Sequence, residues 1–137
     1  MFAAASRALK GYNDDLASRA LEQSKRLQKE ASELMANQPQ NPFFRGGRSA
    51  DVATHLQLFI STGEQHYIEK FQELLWPALE RNVSFTLLTA LDAIPHMDAS
   101  YKEKLRPYVV KYKAYIEEFE KDNPYGVPIG LGNWAGG

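Results

Sequence analysis

Asp51-Val52-Ala53-Thr54-His55-Leu56-Gln57-Leu58-Phe59-Ile60-Ser61-Thr62-Gly63-Glu64-Gln65-His66-Tyr67-Ile68 is the stretch whose reading decides the fold. Val52, Leu56, Phe59 and Ile60 recur at spacings of four, three and one, the pattern of one helix face. Ser49 precedes them as a candidate N-cap, with Asp51 in the expected first turn. Ser61-Thr62-Gly63-Glu64 then breaks the pattern. A second helical pattern follows at once, with Tyr67, Ile68, Phe71, Leu74, Leu75 and Ala78. So short a connection forces the two helices to lie antiparallel as a hairpin.

The same grammar extends in both directions. Residues 2–10 predict a short alanine-rich helix that stops at Gly11. Asn13 is expected to cap a long helix with Asp14 and Asp15 in its first turn and Leu16, Ala20, Leu27, Ala31 and Leu34 as its apolar positions. Its end is marked by Asn37 and Pro39, and residues 37–48 read as a loop with Phe43 and Phe44 as an apolar plug. Ser84 is the expected cap of a fifth helix carrying Phe85, Leu87, Leu88, Ala90, Leu91 and Ile94 and ended by Pro95. So apolar a helix predicts burial on several sides. A last helix is expected over about residues 99–121, with Tyr101, Leu105, Tyr108, Val109, Tyr112, Ile116 and Phe119 on one stripe. Pro107 falls inside it and predicts a kink or a later start. No segment alternates with the period of a strand. Repeated helix–turn–helix units are the grammar of α-solenoids and α/α toroids.

Residues 122–137 differ from all of this. Two prolines and five glycines forbid a helix there, yet Tyr125, Val127, Ile129, Leu131 and Trp134 make the segment apolar. Disordered tails are usually polar, so the segment is expected to pack on something or to hold something. The sequence stops at Gly136-Gly137 without a closing helix, which reads as an internal slice of a larger domain.

Composition narrows the functional classes. A chain of 137 residues with 44% hydrophobic and 24% charged residues can bury a moderate core as one domain. A formal net charge of −1 supplies no long-range field to gather nucleic acid or an anionic membrane. No apolar run approaches the ~18 residues of a membrane span. The absence of cysteine excludes disulfides, thiolate metal sites and cysteine catalysis.

Three pieces of this sequence resemble the catalytic domain of glycoside hydrolase family 9, the endoglucanase-type cellulases. Phe2-Ala3-Ala4-Ala5-Ser6-Arg7-Ala8-Leu9-Lys10 with Tyr12 is similar to an alanine-rich helix of that family. Leu56 through Glu64 and on to Tyr67 resembles its helix–Thr-Gly-acid–helix hairpin, a unit common to many α/α toroids. Asn123-Pro124-Tyr125-Gly126-Val127-Pro128 followed by Trp134 is similar to its active-face loop, although Ala135-Gly136 stands where the family usually has Gly-Ser-Asn. The resemblance implies part of an (α/α)6 toroid and a parent that hydrolyses β-1,4-glucan, mostly with inversion. That chemistry uses a carboxylate base and a carboxylic acid roughly 6.5–9.5 Å apart. The family's base lies in an Asp-Ala-Gly-Asp motif and its acid is a later Glu, and neither motif is in this sequence. The resemblance therefore implies that the segment alone is inactive, that it needs no cofactor, and that its parent is secreted or periplasmic.

The candidate site residues are few. Trp134 and Tyr125 are the candidates for substrate binding, because an aromatic ring stacks on the flat C–H face of a sugar; the competing role of each is to anchor its own loop. His55, His66 and His96 show no helical ligand spacing, and the expectation is no metal site, although His55 and His66 flank the hairpin turn and could approach one another. Asp92 and His96 are separated by the helix-breaking Pro95, and no nucleophile accompanies them. Capping explains Asp14 and Asp15, and Glu117, Glu118 and Glu120 with Lys121 read as a solvated face. Asn82-Val83-Ser84 fits a glycosylation sequon, but capping by Ser84 is the simpler role. No catalytic residue is assigned. The expected partners are an oligosaccharide or polysaccharide in the parent, neither nucleic acid nor membrane, and a second copy that covers the fifth helix or the terminal loop. The competing reading is a helical-hairpin interaction module, TPR-like in architecture but without the TPR repeat signature.

Overall fold

The computed structural model describes residues 2–37 and 47–120. Six α-helices make up the described chain: α1 (Phe2–Leu9), α2 (Asp14–Asn37), α3 (Gly47–Thr62), α4 (Gln65–Arg81), α5 (Val83–Asp92) and α6 (Ala99–Glu120). A short 3-10 turn, Ile94–His96, separates the last two. There is no strand among the described residues. None of their helices is long and apolar enough to cross a membrane. The chain divides into two compact units, Met1–Thr89 and Ala90–Gly137.

The α1–α2 and α3–α4 turns of the first unit have local chemical causes. α1 ends as expected before Gly11, whose φ of +81° is the left-handed conformation that glycine adopts without penalty. The amides of Tyr12 and Asn13 both donate to Leu9 O, which closes the end of α1. Asn13 Oδ1 then accepts the Leu16 amide at 3.0 Å, the expected N-cap of α2, and Asp14 Oδ1 accepts the Gly11 amide at 2.7 Å. The α3–α4 connection is tighter still, two residues long. Gly63 has φ +72° and donates its amide to Phe59 O at 2.7 Å. The Thr62 hydroxyl donates to Leu58 O and accepts the Glu64 amide, so one side chain holds both sides of the bend.

α3 is the helix around which the first unit is packed. α1, α2 and α4 all contact it. Val52, Leu56 and Leu58 have no exposed surface, and His55 is buried with them. Phe59 and Ile60 are half-buried, so the buried face is wider than the expected stripe and is centred elsewhere. α4 supplies Tyr67, Ile68, Phe71, Leu75, Ala78 and Leu79 to the core, and Leu74 is half-buried. Pro77 sits within α4 on its exposed side.

The structure corrects several local expectations. α3 starts at Gly47, so Ser49 lies inside the helix and Asp51 lies beyond its first turn. The buried positions of α2 are Ala17 and Ser24, while Leu16, Leu27 and Leu34 are exposed. Small side chains there let α2 approach its neighbours closely, and the larger leucines fall to the outside. Asn82, not Ser84, caps α5, accepting the Phe85 amide on Oδ1. α5 is also not buried on several sides: Thr86, Leu87 and Ala90 are buried, but Phe85 is 75% and Leu88 72% exposed. Hydrophobicity all round a helix therefore overstates how much of it is covered.

In the second unit, Asp98 Oδ1 accepts the Tyr101 amide at 2.9 Å and the Ser100 hydroxyl at 2.8 Å, which starts α6. Those donors favour the charged carboxylate and lower the Asp98 pKa, the backbone bond most strongly. Tyr101 is buried, and its hydroxyl donates to Ala90 O at 2.8 Å. Burial pushes its pKa well above the usual phenol value. Pro107 lies inside α6, which begins at Ala99 without delay. Of the expected stripe, Tyr101 and Leu105 are buried, Tyr108, Tyr112 and Ile116 are half-buried and Val109 is exposed, while the Phe119 side chain lies outside those described.

Two substitutions report on this packing. Phe71→Ala should cost about 3–5 kcal/mol of unfolding free energy, because it opens a cavity in a fully buried position. Gly63→Ala should cost about 1–2 kcal/mol through its left-handed backbone, since no atom would obstruct the added methyl. Urea unfolding of the purified chain measures both. A loss under about 1 kcal/mol for Phe71→Ala would contradict a closed core around α3 and α4.

Candidate functional site

The two sequence-derived substrate-binding candidates, Trp134 and Tyr125, lie outside the described residues, as does Asp122. What the described residues provide is a polar framework concentrated where α1 and α2 meet the α3–α4 hairpin.

Arg7 is its first element. The guanidinium is planar and carries five donors, so it can serve several acceptors at once. From α1 it reaches α3, where Nη1 donates to Gln57 O at 3.1 Å and to Ser61 Oγ at 2.7 Å. Nη2 donates to Gln57 Oε1. Ser61 Oγ in turn lies 2.9 Å from Ala3 O and 2.8 Å from Gln57 O, and its single proton serves these two carbonyls. A positive side chain, two backbone carbonyls, an amide and a hydroxyl thus tie α1 to the last turns of α3. Beneath this tie Ala3, Leu58 and Tyr67 form a small apolar cluster, with Leu21 and Phe59 packed against it.

The second element sits at the hairpin bend. Glu64 occupies the N-cap position of α4 but makes no capping bond with its side chain. Its carboxylate reaches α2 instead, where Lys25 Nζ lies 2.6 Å away. The hydrogen bond from Lys25 holds the Glu64 pKa below the usual carboxylate range, and the same bond raises that of Lys25. Both side chains are about 40% exposed, so water screens the pair and its role is orientation of the bend. His66 stacks on Tyr67 with ring centroids 3.9 Å apart, and its Nδ1 lies 3.7 Å from Glu64 Oε2. Burial raises the pKa of Tyr67.

The third element is His55 on α3, buried and bound to Asp51 one turn earlier. Of the two histidines that flank the hairpin turn, His55 engages Asp51 and His66 lies beside Glu64, and both rings meet Tyr67. Among the described residues no three side chains of histidine, aspartate or glutamate come together as a metal site. Asp92 ends α5 and His96 ends the 3-10 turn, both exposed. Asp15 lies 3.9 Å from Arg19 and Glu117 3.1 Å from Lys113, each on an exposed helix face.

Sequence reading did not find the roles of Arg7, Gln57, Ser61 and Lys25. Arg7 carried a weak signal, a lone cation in an alanine-rich helix where no acidic partner stands three or four residues away. Its partners on α3 are backbone and neutral groups 50 and 54 positions on in the chain, which no local spacing reveals.

Arg7→Met keeps the length of the side chain and removes its donors, so it should destabilise the chain by about 2–3 kcal/mol. Ser61→Ala should cost about 1 kcal/mol, and the two changes should couple in a double-mutant cycle by more than about 0.5 kcal/mol. Additive losses in urea unfolding would mean that Arg7 and Ser61 do not act through one tie. Compared with family models, with curated proteins and with solved structures, the chain has no match.

Proposed function

We propose that this chain is part of the catalytic domain of a glycoside hydrolase similar to family 9, one turn of helical hairpins in an (α/α)6 toroid whose parent hydrolyses β-1,4-linked glucan or a related oligosaccharide. One observation carries the reading. The alanine-rich helix and the Thr62-Gly63-Glu64 hairpin, two of the pieces on which the resemblance rests, are joined directly by Arg7 and Ser61. Segments that resemble a family by sequence and also form one packed unit support a common origin better than scattered motifs do. In this reading Trp134 and Tyr125 form part of a sugar-binding face, and the helices supply its scaffold. The reaction itself would belong to an acid and a base contributed by other segments of the parent.

The coding sequence on either side of this segment tests the proposal. A single reading frame should encode an Asp-Ala-Gly-Asp motif upstream and the catalytic Glu downstream. Protein from that whole frame should release reducing sugar from carboxymethylcellulose. Asn in place of the base Asp should cut the rate by about 100-fold or more. The 137-residue chain by itself should release none. A frame that lacks both motifs would overturn the proposal in favour of a helical-hairpin interaction module.

Exposure of Phe85 and Leu88 supports a further expectation for the isolated chain. Two large apolar side chains one turn apart on α5 favour self-association, and we propose a homodimer or higher oligomer that covers this face. Sedimentation at micromolar concentration should show it, and Leu88→Lys should shift the chain to monomer. A monomer before any substitution would contradict self-association through α5.

A further inference from the structure

A polar chain that the proposed function leaves unused runs from the buried His55 on α3 to the surface of α2. His55 is 4% exposed. Its Nδ1 lies 2.8 Å from Asp51 O and 3.2 Å from Asp51 Oδ1, so an N–H there serves both acceptors. On the other side of the ring, Nε2 lies 3.1 Å from Gln28 Nε2 on α2. The same Gln28 nitrogen donates to Ser32 Oγ at 2.9 Å. From α4 the ring meets Tyr67, with centroids 6.2 Å apart, and the positive charge of Lys70, which opposes protonation.

In the neutral imidazole, Nδ1 carries the proton and Nε2 accepts. Gln28 then gives one amide proton to His55 and the other to Ser32. A proton taken from solvent onto Nε2 would set two donors face to face. A half-turn of the Gln28 carboxamide removes the conflict: Oε1 accepts from His55 Nε2–H and from the Ser32 hydroxyl, which rotates from acceptor to donor. His55, Gln28 and Ser32 keep their mutual hydrogen bonds in both states, and no helix has to move.

We propose that Asp51, His55, Gln28 and Ser32 form an acid-tightened tie between α2 and α3, whose hydrogen-bond polarity reverses through a flip of the Gln28 amide. Protonation turns the His55–Asp51 contact into an ion pair and the bond to Gln28 into one donated by a cation, and charge-assisted bonds are the stronger kind. Burial of the ring opposes the charged form, but the hydrogen bonds and charge of Asp51 outweigh it and raise the His55 pKa. A folded pKa above the unfolded value means that this stabilisation is complete below about pH 6.5 and is lost as pH rises through the folded value.

Nitrogen-15 NMR of the full chain from about pH 5 to about pH 9 tests the tie, since histidine titrates within that window. His55 should titrate above the free-histidine range, with its neutral form protonated on Nδ1, and the Gln28 carboxamide signals should move with the same midpoint. Gln28→Leu should lower that midpoint, and thermal melts of the unaltered chain should fall across the same interval. A His55 midpoint at or below about 6.5, or Gln28 signals that ignore the titration, would overturn the proposal without need of any variant.

Discussion

The burial of one wide face of α3 is the constraint on which the first unit depends. Its residues Val52, Leu56 and Leu58 are fully buried, and three other helices cover it. Removing apolar surface from water supplies the drive, at about 25 cal/mol per Å2. Burial of that face also strips water from polar groups that lie in it or border it. His55, Gln57 and Ser61 therefore need partners, and each finds one on a neighbouring helix: Gln28 on α2 for the histidine, Arg7 on α1 for the amide and the hydroxyl. Apolar burial and polar bonding are thus not separate layers of the structure. The first makes the second obligatory, and the second fixes which helix lies against which side of α3.

The hairpin bend follows from the same constraint. With α3 and α4 both presenting wide apolar faces, the shortest link lets them pack along their length. Two residues suffice because Gly63 adopts a left-handed conformation and Thr62 bonds to both sides of the turn. Glu64 is left without a capping bond and is available to Lys25, which brings α2 to the bend. A residue at the N-cap position of α4 thereby acts as a bridge between helices.

Much of the helical layout was legible because it is locally encoded. Gly11 and Asn13 mark their helix boundaries by backbone and capping chemistry within a few residues, and the apolar positions of α4 follow helical spacing. What was not legible depends on contacts distant in the chain. Leu16, Leu27 and Leu34 look like the buried stripe of α2, yet Ala17 and Ser24 are the residues that close packing selects. Ser84 and Ser49 look like caps, but α5 and α3 begin earlier. Phe85 and Leu88 look like core and are exposed, because a helix shows its composition and not its neighbours. Of the candidate site, Trp134 and Tyr125 were read from sequence and lie outside the described residues, whereas the Arg7–Ser61 tie came only from the fold.

Amide hydrogen exchange, residue by residue, tests the central place of α3 most directly. If three helices cover it, the amides from Val52 to Leu58 should be among the slowest in the chain and should exchange only through global unfolding, while those of the exposed second half of α2 should open locally and exchange faster. Exchange in α3 as fast as in residues 27–37 of α2 would contradict the account, since a helix enclosed by the rest of its unit cannot open before its cover does.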